Sequence, residues 1–355
     1  MTPRKLFIPG PTQVSDSVLK KMATPMIGHR TKEATALQKS ISEKLQKFLN
    51  TKSDILLSTS SGTGLMEGSL RSLTAKKAAI FSVGSFGERW YKMAEQNGVE
   101  ADIFAVEDGR YTSAETVDRA LATGNYDLIT VTHNETSSGI TNDCKSIGEV
   151  LKKYPDVVYC VDAVSSAIGM PIYTDDWGID VLISSTQKCL ALPPGMSYCT
   201  YSPKAAQRAP QAKNRGYYFD LKMIHENVLK NYQYPSTPSL SHMFALDYKL
   251  DEIEEEGIEN RFARHTEMAN IVRAWARDRF AIFPVEEYAS DTLTCIENTR
   301  GIDVAGLCAK LNDRGYEISN GYGNLAEKTM RIAHMGDLQV SDINELLSVI
   351  DSILD

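Results

Sequence analysis

The sequence predicts an α/β protein, with a mostly parallel sheet covered on both faces and a smaller C-terminal α/β domain. Three observations carry that expectation. Short apolar runs alternate with amphipathic helical stretches through the middle of the chain, the pattern of an open, mostly parallel sheet. Two of the runs end in residues suited to chemistry, Asp162 and Lys188. Past the Pro-rich stretch Tyr232-Gln233-Tyr234-Pro235-Ser236-Thr237-Pro238 the pattern changes to an acidic helix, a long helix and a further set of strands and helices.

In chain order, the N-terminal residues are rich in Pro and Gly and read as an irregular arm, residues 1–14. Strands are expected at Asp54–Ser58, Ala78–Val83, Asp127–Thr132, Val157–Asp162, Val181–Ser184 and Ser197–Tyr201. Helical spacing is seen at Leu65–Leu70, Glu88–Asn97 and Ser146–Lys153, and the acidic helix Ala245–Glu256 reads as a connector. The large domain is expected over residues 15–245 and the small one over 246–355. In such sheets ligands collect where strands end and helices begin.

The bulk properties exclude several classes. A net charge of −8 with no basic stretch argues against a nucleic-acid partner. No apolar stretch approaches the roughly 20 residues of a membrane span. The first ten residues lack the apolar region of a signal peptide, so a cytoplasmic setting is expected. None of the six cysteines forms a CxxC pair, so no metal site is expected, and reduced thiols fit the same compartment.

The chemistry centres on Lys188. An apolar run, Ile179-Asp180-Val181-Leu182-Ile183, ends in Ser184-Ser185-Thr186-Gln187, and the lysine is then held against Pro193-Pro194-Gly195. A lysine there is costly to bury unless it is paired or used covalently. Its desolvated amine can attack a carbonyl. Twenty-six residues earlier another apolar strand ends in Asp162. A strand-end lysine to carry an aldehyde and a strand-end carboxylate to pair with a protonated pyridine nitrogen are what a pyridoxal 5'-phosphate site needs. The stretch Ser58–Gly64 follows a strand and opens a helix, where free amides suit a phosphate. Asp162 also has the position of a helix N-cap, and His133 reads as a hydrogen-bonded structural residue.

The segment Ser184–Gly195 with Val161-Asp162-Ala163-Val164-Ser165-Ser166 resembles the class V aminotransferases, in the alanine–glyoxylate, serine–glyoxylate and serine–pyruvate branch. Pro9-Gly10-Pro11-Thr12, Gly28-His29-Arg30, Ser61-Gly62-Thr63, Gly84-Ser85-Phe86-Gly87-Glu88-Arg89, Thr132–Gly139 and Arg331–Gly336 follow in family order. The resemblance implies the fold type I of the pyridoxal phosphate-dependent transferases, with a seven-stranded type of sheet in its large domain. It implies that Ser61, Gly62 and Thr63 form the phosphate loop. Phe86 stands where the family often has Trp and would lie on the pyridine ring. Thr136 would bind at or near the phenolic oxygen, and Gln187 on the phosphate side. Tyr234 and Thr237 match positions that reach the cofactor of a neighbouring subunit, which implies a homodimer with shared sites. Arg331 would hold the substrate carboxylate with its planar fork, and Gly10 would line the site from the arm. Glu88 and Arg89 receive no catalytic role.

The implied activity is ping-pong transfer of an amino group from alanine or serine to glyoxylate or pyruvate, with Lys188 as general base and acid. Phosphoserine or 2-aminoethylphosphonate aminotransferases are the alternative, because Gly28-His29-Arg30 resembles their phosphate-contacting pair. The segment could equally serve only the fold. A desulfurase would have His where Gln187 stands, and a silent cofactor-binding protein would not need Lys188, Asp162 and Arg331 together.

Overall fold

Seven strands form the large sheet in the computed structural model, which describes residues 4–355. They are β1 (Asp54–Ser58), β2 (Ala78–Ser82), β3 (Ala101–Ala105), β4 (Leu128–Thr132), β5 (Val158–Asp162), β6 (Val181–Ser185) and β7 (Ser197–Tyr201). Their order across the sheet is β1-β7-β6-β5-β4-β2-β3. Six share one direction, and β7 runs against both its neighbours. All of β2, β4, β5, β6 and β7 is buried. That is why these strands read as continuous apolar runs rather than alternating ones. Strand β3 was not expected. It is a half-exposed edge, with Asp102 as its second residue, so its apolar signal is weak.

The helices cover the two faces and make two cores. On one face Ile41, Leu45, Leu57, Phe81, Val131, Tyr159, Val161 and Leu182 share a cluster. On the other, Leu56, Leu65, Leu70, Ile80, Trp90, Cys160, Ile183 and Cys199 share a second. Adjacent residues of one strand thus enter opposite cores, as Val161 and Cys160 do. Each fully buried aliphatic side chain here contributes roughly 1.5–3 kcal/mol of transfer free energy.

The small domain is a four-stranded sheet, Ala281–Ile282, Leu293–Glu297, Thr329–Ala333 and Ser319–Asn320 in spatial order, antiparallel throughout. Helices Ile258–Arg279, Val304–Asp313 and Val340–Leu354 pack on it around Val272, Ile296, Ile332 and Leu346. The helix Leu240–Glu256 crosses the expected boundary at 245/246. Its Leu246, Leu250 and Ile253 lie in the large-domain cluster. Gly257, with a φ of +82, separates this helix from the next, whose first residue Ile258 still packs on the large-domain cluster. The arm is also more ordered than expected. Lys5 and Leu6 pair in parallel with Tyr316 and Glu317, and Phe7 enters the small-domain core. Residues 1–3 of the expected arm lie outside the described residues. No helix among the described residues is long and apolar enough to cross a membrane.

Candidate active site

Parallel strands bring their following loops to one edge of the sheet, and the candidate residues converge there. Ser61–Thr63 follow β1, Phe86 follows β2, Thr136 follows β4, Asp162 ends β5 and Lys188 follows β6. A cavity of about 310 Å³ at this edge is lined by Gly10, Ser61, Gly62, Thr63, Phe86, Arg89, Asp162, Gln187 and Lys188, among others.

The loop carrying Lys188 is fixed by its own backbone. Thr186 N–H donates to Met196 O at 3.0 Å, Leu192 N–H to Thr186 O at 3.1 Å, and Ala191 N–H to Lys188 O at 2.9 Å, with Ala191 at φ +52. The arm closes over it. Thr12 N–H donates to Gln187 O at 3.1 Å and Thr12 Oγ1 to Lys188 O at 3.0 Å. Lys188 Nζ donates to Pro9 O. Gly10 crosses the lysine so closely that a Cβ there would lie 2.7 Å from Lys188 Cδ, and its φ of +97 also favours glycine. Burial brings the Lys188 pKa down to about 8; the Arg331 and Arg89 charges push the same way, while Asp162 opposes.

Asp162 is buried, and the one hydrogen bond to its carboxylate among the described residues comes from Val164 N–H at 2.9 Å. Burial pushes its carboxyl up to about 6; the Val164 amide holds it down, and the nearby Glu135 carboxylate pushes it further up. A buried carboxylate with so few donors is short of a cationic or donor partner. The helix Gly62–Leu73 begins opposite with Ser61 as N-cap, and no side chain caps it. Its free amides therefore favour an anion. Gly62 is required for close packing, since a Cβ would meet Val164 Cγ2 at 2.5 Å. Gln187 is turned toward β6, its Oε1 accepting from Ser185 Oγ at 2.5 Å. Uncapped amides, an under-satisfied carboxylate, an aromatic face and a buried amine around one cavity fit pyridoxal phosphate.

Some expected residues lie outside the cavity lining. Thr136 is buried, with Oγ1 2.6 Å from Ser165 Oγ. Arg331 donates through Nε and Nη2 to Asn320 O, at 3.1 and 3.0 Å, and through Nη1 to Thr136 O at 3.2 Å. It is 7% exposed, and among the described residues none of its hydrogen bonds goes to a carboxylate. Tyr234 is buried in its own chain with its hydroxyl on Gln38, and Thr237 is exposed nearby. Arg30 donates to Gln233 Oε1 at 3.1 Å and to Tyr234 O at 2.7 Å, so Gly28-His29-Arg30 supports that loop and does not line the cavity. His133 bonds Ser166 Oγ at 2.8 Å, and burial lowers its pKa to about 4, as expected of a structural residue.

Three residues were missed. Glu135 is buried and accepts from Phe86 N–H at 3.0 Å, Gly87 N–H at 3.1 Å and both Ser137 N–H (3.1 Å) and Oγ (2.6 Å). It holds the Phe86 turn against the β4 loop. An acidic residue inside the small polar run Asn134–Gly139 was the available signal. Arg89, given no catalytic role from the sequence, lines the cavity with its guanidinium 4.4 Å from the Phe86 ring centre and Nη1 3.3 Å from Thr63 Oγ1. Arg89 stands one helical turn after Phe86, which puts the two side chains on one face. Tyr322 reaches the Phe86 ring from the small domain, a contact no local pattern announces.

Known proteins show the same arrangement of chain. Residues 6–335 match the family Aminotransferase class-V. The chain is 36% identical to an uncharacterized aminotransferase of Methanocaldococcus jannaschii, over 98% of this chain and 92% of that one. It is 32% identical to a serine–glyoxylate aminotransferase of Methylorubrum extorquens, over 94% of this chain and 86% of that one. The crystal structure of an alanine–glyoxylate aminotransferase from Nostoc sp. superposes with a TM-score of 0.95 at 27% identity, covering 100% of this chain and 96% of that one. A match along almost the whole chain, with Lys188 and Asp162 at one cavity, makes this chain a member of the class V aminotransferases.

Proposed function

We propose that this aminotransferase uses pyridoxal phosphate to move an amino group from alanine or serine to glyoxylate or pyruvate. The observation that carries the reading is one cavity lined by a buried lysine, a buried carboxylate and an uncapped helix start. The serine–glyoxylate and alanine–glyoxylate names of its relatives support the substrates.

When bound, pyridoxal phosphate supplies an aldehyde for the substrate amine and a ring that stabilises the negative charge left by α-proton loss. Lys188 Nζ would hold that aldehyde at rest. The same Nζ, when free, would take the substrate α-proton and give it back, acting as base and then as acid. Its pKa near 8 suits both directions near neutral pH. Asp162 would keep the ring nitrogen protonated, and the amides of Gly62 and Thr63 would hold the phosphate. Phe86 would cover one face of the ring. Arg331, buried without a carboxylate, would receive the carboxylate common to donors and acceptors.

The test is a donor panel of alanine, serine, phosphoserine, aspartate and 2-aminoethylphosphonate against glyoxylate, pyruvate and 2-oxoglutarate. Alanine or serine with glyoxylate or pyruvate should give the highest kcat/KM. Preference for a phosphorylated donor, or no transfer at all, would overturn the reading.

Arg331→Lys should raise KM for every carboxylate substrate and lower kcat/KM by more than about tenfold, as removing one partner of a buried charged contact costs roughly 2–5 kcal/mol. Cofactor absorbance should stay normal. Unchanged alanine and serine turnover would make Arg331 structural.

The active unit is proposed to be a dimer, with Tyr234 and Thr237 serving the partner's site. Light scattering should report two chains per particle; an active monomer at assay concentration would contradict it. A cytoplasmic setting fits six cysteines that form no disulfide.

A further inference from the structure

We infer that Tyr322 sets the size of the amino-acid side chain this enzyme accepts. The inference rests on the proposed function, in which Arg331 receives the substrate carboxylate and Phe86 covers the cofactor ring. Tyr322 joins these two residues across the cleft between the domains. Its ring centre lies 5.7 Å from that of Phe86, tilted by 37°, and the Arg331 guanidinium lies 5.4 Å from the Tyr322 ring centre. A substrate held at both ends of this row has the tyrosine ring beside it.

The loop around Tyr322 is built as a wall. Gly321 N–H donates to Thr329 O at 2.8 Å, Leu325 N–H to Tyr322 O at 3.0 Å and Ala326 N–H to Gly323 O at 3.1 Å. Asn320 O accepts from Arg331 itself, so ring and guanidinium share one support. A Cβ on Gly321 would lie 1.9 Å from Leu325 O, so the turn has no room to loosen on that side. Asn324 Nδ2 donates to Asp108 Oδ2 at 3.0 Å, which latches the loop to the large domain. Tyr322 is 37% exposed and lines an outer groove of about 540 Å³ with Ser85, Arg89 and Asn324. Arg89 lines both this groove and the inner cavity, and Arg89 and Tyr322 both pack on the Phe86 ring. A long donor side chain would need the space the ring fills, whereas alanine and serine would not. Discrimination of this steric kind is worth 10- to 200-fold per methylene at most.

The test measures kcat/KM for alanine, serine, leucine and phenylalanine with glyoxylate, in the wild type and in Tyr322→Ala, Tyr322→Leu and Tyr322→Phe, all cofactor-loaded. Tyr322→Ala should raise the leucine-to-alanine ratio at least about tenfold, and Tyr322→Leu by less. Tyr322→Phe, which keeps the ring, should leave the ratio near wild type. The ratio separates a wall from a mere support of Arg331, because loss of support would raise KM for all four donors alike. Should Tyr322→Ala fail to load cofactor, Tyr322→Leu decides. Wild-type turnover of alanine with ratios unmoved in both variants would overturn this inference alone. No wild-type turnover of any donor would overturn the functional reading beneath it.

Discussion

Lys188→Ala is expected to fold and to lose amino transfer by at least about 10,000-fold, the upper end of what a positioned general base supplies. The same amine would both hold the cofactor and move the proton, so both functions go together. Stability should not suffer. A buried amine whose charge is disfavoured opposes folding, and removing it relieves that cost. The measurements are a steady-state assay with alanine and glyoxylate and a melting curve. A variant that melts as the wild type does but still cycles many times would show that another group does the chemistry.

Asp162→Ala should lose roughly 100- to 1,000-fold in kcat, the range for one preorganised electrostatic stabiliser. The carboxyl sits near 6 because it is buried, so it is mostly ionised at neutral pH. A bound cation at the ring nitrogen would favour the carboxylate and draw that value lower. The acid limb of the wild-type rate should therefore lie below pH 6 and vanish in Asp162→Asn. Folding should be little changed, since the Asp162 carboxylate accepts a single hydrogen bond, from Val164 N–H, and the backbone bonds of the residue survive the substitution. Near-normal turnover would reduce Asp162 to a capping residue.

Much of the large domain was legible because its central strands are buried on both sides. Asp54–Ser58 and Ser197–Tyr201 fall at the expected limits, and Val158–Asp162 differs by one residue. Strand direction was not legible, because β7 has the same apolar content as the two strands beside it, yet runs against both. Chemistry at strand ends was readable at Lys188 and Asp162, where a charged residue follows an apolar run. Contacts between distant segments were not. Arg331 meets Thr136 O across 195 residues of chain, and Tyr322 meets Phe86 across the domain cleft. Arg89 was hidden for a different reason. Its helical start looks like any solvated face until the cavity beneath it is seen.

The central claim is that Lys188 is the covalent anchor, and reduction of the cofactor-loaded protein with borohydride tests it most directly. Digestion and mass mapping should find the phosphopyridoxyl group on the peptide containing Lys188, in amounts matching the cofactor bound. A label on any other lysine, or none on loaded protein, would contradict it.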